Sequence, residues 1–168
     1  MRRPGVEARV RILAVMVKEG TPAPDFELLA DSGELLRLSS LRGLPVVLYF
    51  YPRDDTPGCT AQACGIRDSW DAFEERGVVV LGVSPDAEAS HVEFKAKYGL
   101  PFTLLADPDH EAGRAYGVWG ERTVGEILKW SNERSTFVID ADGVLVKVMR
   151  QVDPTTHAAD VLAALDGT

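Results

Sequence analysis

Cys59 closes the stretch Pro52-Arg53-Asp54-Asp55-Thr56-Pro57-Gly58-Cys59, between an apolar run and a segment that reads as a helix, and the other cysteine, Cys64, lies five residues on. A thiol at a strand-to-helix junction sits where backbone N–H groups and the helix dipole favour negative charge, which stabilises the reactive thiolate. Cys59 is therefore a candidate nucleophile. The competing account is a small buried hydrophobe, the common fate of a free cysteine. Against it stand the helix-start position, the loop at the end of a central strand, where α/β folds place their sites, and the second thiol nearby.

A thiolate also needs a balancing cation, and Asp54 and Asp55 act in the wrong direction. Arg53 is close in sequence, while Arg134 opens a later strand from which it can reach the same pocket. Spacing alone does not choose between them.

Cys64 sets a geometric condition. In an intact helix, a rise of ~1.5 Å and a turn of ~100° per residue put the two Cα atoms about 8.6 Å apart on different faces, beyond the ~7 Å limit for a disulfide. If the two cysteines react with each other, the first turns of the helix must unwind, so the protein would alternate between a folded thiolate and a locally unfolded disulfide. The alternative is an inert, partly buried Cys64.

Metal binding fits the residues poorly. Cys-x4-Cys is wider than the usual zinc spacing, no second cysteine pair exists, and His91, His110 and His157 fall in separate expected elements, where they read as surface or helix-packing residues. The chain contains no phosphate-cradling loop of the P-loop or dinucleotide type, so neither a metal nor a nucleotide cofactor is implied.

The elements that must position these residues are legible from patterning. Asp25 to Leu28 and Glu34 to Leu38 flank the turn Asp31-Ser32-Gly33 and form an N-terminal hairpin. The nearly all-apolar Leu44 to Tyr51 reads as a central strand covered on both faces. Thr56 as N-cap with Pro57 at the first helical position starts a helix over about 57–76, and Gly77 stops it. Ala63, Ile66, Trp70 and Phe73 form its apolar stripe, and stepping back four from Ala63 reaches Cys59, which places the thiol on the packed face. Val78 to Ser84 is a second buried strand, Pro85 to Tyr98 a helix closed by Gly99, Phe102 to Leu105 a third strand, and His110 to Tyr116 a short helix. Further on, Ser135 to Ile139 and Val144 to Val148 flank the hairpin turn Asp140-Ala141-Asp142-Gly143, and Thr155 to Leu165 is a closing amphipathic helix. Strands alternating with helices, then an antiparallel hairpin and a last helix, describe a mixed α/β sheet covered on both faces, the outline of a thioredoxin-like fold with an N-terminal β-hairpin extension.

The 168 residues fit one domain, read as 19–168, behind a basic leader, 1–18. Arg2, Arg3, Arg9, Arg11 and Lys18 outnumber Glu7 and Glu19 at that end, against a net charge of -8 for the chain. An acidic body repels phosphate backbones, which argues against a nucleic-acid partner. Arg11 interrupts the apolar stretch Val10 to Val17 and no small-residue cleavage site follows, so the leader matches a secretory signal poorly. It reads as a disordered leader or an upstream start before Met16, and a cytoplasmic location follows. No apolar run approaches the ~20 residues that cross a bilayer. Two cysteines are too few for a secreted disulfide framework.

Pro52-x3-Thr56-x2-Cys59, the extension through Cys64, Tyr116-Gly117-Val118-Trp119-Gly120 and Arg134-Ser135-Thr136-Phe137-Val138-Ile139-Asp140 resemble the peroxiredoxins, most closely the bacterioferritin comigratory protein or peroxiredoxin Q subfamily. The similarity runs from about Glu19 to the C-terminus. The resemblance implies a thiol peroxidase in which Cys59 attacks a hydroperoxide to give a sulfenic acid, and Cys64 resolves it as an intramolecular disulfide opened by a thioredoxin-type reductant. It also implies that Thr56 hydrogen-bonds the peroxide, Pro52 shields the thiolate and Arg134 activates it, and it suggests a monomer. Thr56 is expected to have two tasks, its oxygen capping the Cys59 N–H while its hydroxyl hydrogen points at the peroxide. Two rival readings remain. A thioredoxin-type oxidoreductase lacks its usual Cys-x-x-Cys here, and in a non-enzymatic binding or holdase protein the cysteines would only pack or sense oxidants.

Overall fold

In the computed structural model, which describes residues 17–167, the apolar runs become the interior strands of a seven-stranded mixed sheet. Strands β1 (Glu27–Ala30), β2 (Leu35–Arg37), β3 (Val46–Phe50), β4 (Val79–Ser84), β5 (Thr103–Ala106), β8 (Ser135–Ile139) and β9 (Leu145–Met149) lie in the order β2-β1-β5-β4-β3-β8-β9. β3, β4 and β5 are parallel, whereas β1, β8 and β9 pair antiparallel with their neighbours. The expected hairpin is β1 and β2, and it extends the sheet by pairing with β5.

Every residue of β3 is buried because alternate side chains enter two different cores. Val46, Leu48 and Phe50 join Phe26, Leu81, Tyr116 and Phe137 on one face. Val47 and Tyr49, with Tyr51 just beyond the strand, join Cys59, Ala63, Ile66, Phe73, Phe94 and Val161 on the other. That second face carries the helices α1 (Pro57–Asp68), α2 (Trp70–Glu75), α3 (Glu88–Tyr98) and α5 (His157–Asp166), while α4 (Glu111–Ala115) contributes Ala112 to the first. Among the described residues no helix is long and apolar enough to cross a membrane. The leader expected over 1–18 lies outside the described residues as far as Met16.

Two expectations need correction. The single helix over 57–76 is α1 and α2, separated at Ser69, whose φ of -106° and ψ of 17° leave the helical range. Packing accounts for the break, since the second segment sets Trp70 against Phe102, with ring centroids 6.1 Å apart, and buries Phe73 completely. The other correction is an added hairpin, β6 (Trp119–Val124) with β7 (Ile127–Asn132), turning at Gly125 with φ +66°. Its exposed Ile127, Leu128 and Trp130 and its interspersed charges lack the buried alternation that marks a strand in sequence.

Of the histidines expected to be surface or helix-packing residues, His91 on α3 and His157 on α5 are buried in helix packing and His110 is half-buried. His157 starts α5, is fully buried, and pairs through Nε2 with Thr136 Oγ1 at 2.7 Å. Burial pushes its pKa down to about 4, with smaller opposed effects from Asp160 and Arg134. Unfolding at mildly acid pH therefore takes up a proton, so stability is full above the unfolded value near 6.5 and falls as pH drops toward about 4. The expected loss is about 3 kcal/mol at most. Urea midpoints measured between pH 7 and pH 4.5 should show it, and His157→Gln should flatten that slope.

Candidate active site

The site begins where β3 ends. Tyr51 continues the strand by donating its N–H to Val83 O (3.0 Å), and the chain then leaves the sheet through Pro52 to Thr56. Asp55 turns the loop in the left-handed region, φ +57°, a conformation aspartate tolerates better than most residues. Lys97 Nζ and Tyr98 Oη, both on α3, donate to its carboxylate at 2.7 and 2.6 Å. Thr56 is extended at the N-cap position, its carbonyl accepts from the Thr60 N–H at 2.8 Å, and Pro57 occupies the first turn.

The expected cap by the Thr56 side chain is absent. Its hydroxyl instead donates to Arg53 O at 3.0 Å, because a carbonyl can only accept. The hydroxyl hydrogen is thus committed to the loop, and Thr56 Oγ1 keeps lone pairs to offer.

Cys59 lies one turn into α1, 1% exposed, on the buried stripe with Gln62, Ala63 and Ile66. Arg134, at the entry to β8, settles the choice between the two arginines. Its Nη1 donates to Cys59 Sγ at 3.4 Å and to Gln62 Oε1 at 2.8 Å, whereas Arg53 is exposed. A guanidinium aimed at sulfur is the donor that a sulfur nucleophile and a departing oxygen both need.

Three residues that make this contact possible were not singled out in the sequence. Gln62 holds the guanidinium from inside the helix, and its signal was a polar side chain three residues after Cys59 on the apolar face. Gly58 gives Arg134 room, since a Cβ there would stand 2.9 Å from Arg134 Nη2. Glu133 anchors the strand entry by accepting from Arg150 Nε and Ser135 Oγ, each at 2.7 Å. Burial raises the Glu133 pKa, but the Arg150 and Ser135 bonds outweigh it and hold the carboxyl below its usual value.

Asp54 has hydrogen-bond partners of its own beside the site. It is buried, accepting from Tyr51 Oη (2.5 Å) and Ser90 Oγ (2.8 Å) and pairing with His91 Nδ1 (2.7 Å). His91 Nε2 in turn meets Leu105 O at 2.9 Å.

Pro52, Arg53, Thr56, Gly58 and Arg134 line a surface cleft of about 670 Å³, whose far wall is Arg122, Thr123, Lys129 and Ser131 of the β6–β7 hairpin. Pro52, Thr56 and Arg134 thus share the cleft, and Arg134 links it to the buried Cys59, which does not itself line it. Cys64 is half-buried farther along the unbroken α1, and both thiols are free.

The chain is similar to proteins of a known family. The AhpC/TSA family matches residues 20–148. Peroxiredoxin Bcp of Bacillus subtilis is 45% identical over 149 residues, 89% of this chain and 95% of that protein. The chloroplastic peroxiredoxin Q of Oryza sativa subsp. japonica is 41% identical over 163 residues, 96% of this chain and 73% of that protein. The solved bacterioferritin comigratory protein of Xanthomonas campestris superposes with a TM-score of 0.82 at 34% identity, covering 89% of this chain and 98% of that one. The sheet and its covering helices are accordingly a thioredoxin-like α/β fold. The chain therefore belongs to the AhpC/TSA family and, within it, to the Bcp and peroxiredoxin Q group of thiol peroxidases.

Proposed function

We propose that residues 19–168 act as one domain that reduces hydrogen peroxide and organic hydroperoxides through Cys59. The observation that carries this is the Arg134 Nη1 contact with Cys59 Sγ, 3.4 Å long, at the start of a helix beside an open cleft. The Cys59 thiolate attacks the oxygen that bears the peroxide hydrogen. The S–O bond forms as the O–O bond breaks, Cys59 becomes a sulfenic acid, and the departing oxygen takes a proton to leave as water or an alcohol. Arg134 offers donors to the sulfur and to the charge moving onto the leaving oxygen. Thr56 Oγ1 accepts from the peroxide O–H and aligns the O–O bond with the sulfur. Pro52, half-buried at the cleft edge, shields the sulfur from water.

Cys64 then condenses with the sulfenic acid, forming the Cys59–Cys64 disulfide and releasing water. Because α1 is intact over Pro57–Asp68, its first turns must unwind for the sulfurs to meet. A thioredoxin-type dithiol reopens the bond by exchange, becoming a disulfide itself. Alkyl peroxide reduction is an activity of the Xanthomonas campestris relative, and a cleft of about 670 Å³ beside Arg134 has room for an alkyl group here. The protein works as a cytoplasmic monomer.

Mass spectrometry after one equivalent of hydrogen peroxide tests the cycle. The wild type should lose two hydrogens and yield a peptide joined at Cys59 and Cys64, whereas Cys64→Ser should gain one oxygen at Cys59. A wild-type product joined between two chains, or one that keeps both thiols, would exclude Cys64 as the resolving residue.

A further inference from the structure

The Arg53–Asp54 peptide is held from both sides. Its carbonyl, Arg53 O, accepts the Thr56 hydroxyl hydrogen at 3.0 Å, and its N–H donates to Asp86 Oδ2 at 2.7 Å. In a trans peptide these two groups point in opposite directions, so fixing the N–H fixes the carbonyl. Asp86 follows the end of β4, the strand beside β3, and Ser84 holds it there. Ser84 Oγ donates to Asp86 Oδ2 at 2.7 Å and accepts from the Asp86 N–H at 3.2 Å. Ser84 is fully buried, so this anchor is part of the core rather than of the solvated loop. On its other side, Asp54 is tied by its carboxylate to Tyr51, Ser90 and His91.

We propose that Asp86 is a positioning residue for the peroxide step: by holding the Arg53–Asp54 peptide, it directs the Thr56 hydroxyl hydrogen into the loop and leaves Thr56 Oγ1 as an acceptor facing the cleft. A hydroxyl has one hydrogen. If the peptide rotates, that hydrogen is released, Thr56 can present either polarity, and the peroxide O–H loses a dedicated acceptor. Asp86 touches neither sulfur nor substrate in this account; it acts through one peptide group. The inference rests on the role assigned to Thr56 above.

A double-mutant cycle read by stopped-flow oxidation of Cys59 with hydrogen peroxide tests it. Thr56→Val and Asp86→Ala should each lower the second-order rate constant about tenfold, and the double variant should be no slower than Thr56→Val alone. Asp86→Asn, whose amide oxygen still accepts from the Asp54 N–H, should recover most of the rate. Losses that multiply in the double variant, an Asp86→Asn as slow as Asp86→Ala, or a loss confined to disulfide formation would overturn the role of Asp86. An unchanged rate in Thr56→Val would instead overturn the Thr56 assignment. If Asp86→Ala fails to fold, Ser84→Ala enters the same cycle, with a smaller loss that Thr56→Val should likewise mask.

Discussion

Cys59→Ser abolishes peroxide-dependent NADPH oxidation in an assay coupled through thioredoxin and its reductase, leaving the rate of the assay without enzyme. The substitution replaces the sulfur proposed to attack the O–O bond with a hydroxyl, and a serine hydroxyl is a weak nucleophile without an adjacent base. No base stands in for it, because the group that meets the sulfur is Arg134, a cation that donates and does not accept. The fold should survive. Serine is close to cysteine in size, and Arg134 Nη1 can donate to the new oxygen, which offsets the ~1–3 kcal/mol cost of burying an unpaired hydroxyl. Near-wild-type far-ultraviolet dichroism with no turnover is the expected pair of results. Residual turnover above the control would mean that another residue reacts with peroxide.

Arg134→Met lowers the rate constant of Cys59 with hydrogen peroxide by about a hundredfold, the size of effect that removing one preorganised donor from a developing charge produces. Two losses combine. The sulfur loses its positive neighbour, and Gln62 Oε1, buried inside α1, loses the donor that satisfied it at 2.8 Å. The second costs stability, about 1–3 kcal/mol, readable as a lower urea midpoint. Arg134→Lys separates the two. It keeps the charge but not the planar fork that reaches sulfur and amide from one nitrogen, so its rate should fall between those of Met and Arg. A rate within threefold of wild type for Arg134→Met, measured by stopped-flow tryptophan fluorescence, would contradict the assigned role.

How much of this was legible differs from residue to residue. The strand β3 and the start of α1 were readable because their signals are local: an unbroken apolar run, then Thr56-Pro57-Gly58 as a helix opening. The β6–β7 hairpin was not, because its exposed Leu128 and Trp130 break the link between apolar side chains and burial. The break at Ser69 was hidden as well, since the apolar spacing continues through it and the contact of Trp70 with Phe102 lies across the fold. The partners of Asp54 and Asp55 are hidden for a related reason. Their charge is visible in sequence, whereas most of their partners, Ser90 and His91 for Asp54 and Lys97 and Tyr98 for Asp55, belong to α3, far along the chain.

Local patterns make the fold class, the helix start at Thr56-Pro57 and the five-residue step from Cys59 to Cys64 legible, since each depends on a few neighbouring residues or on spacing along one helix. Packing across the fold brings Arg134 rather than Arg53 against Cys59, turns the Thr56 hydroxyl to Arg53 O, and sets Gln62 on Arg134 and Asp86 on the Asp54 N–H. Those contacts join residues on different strands and helices. A hydrogen bond depends on distances of a few tenths of an ångström, and only the packed sheet fixes them across such separations.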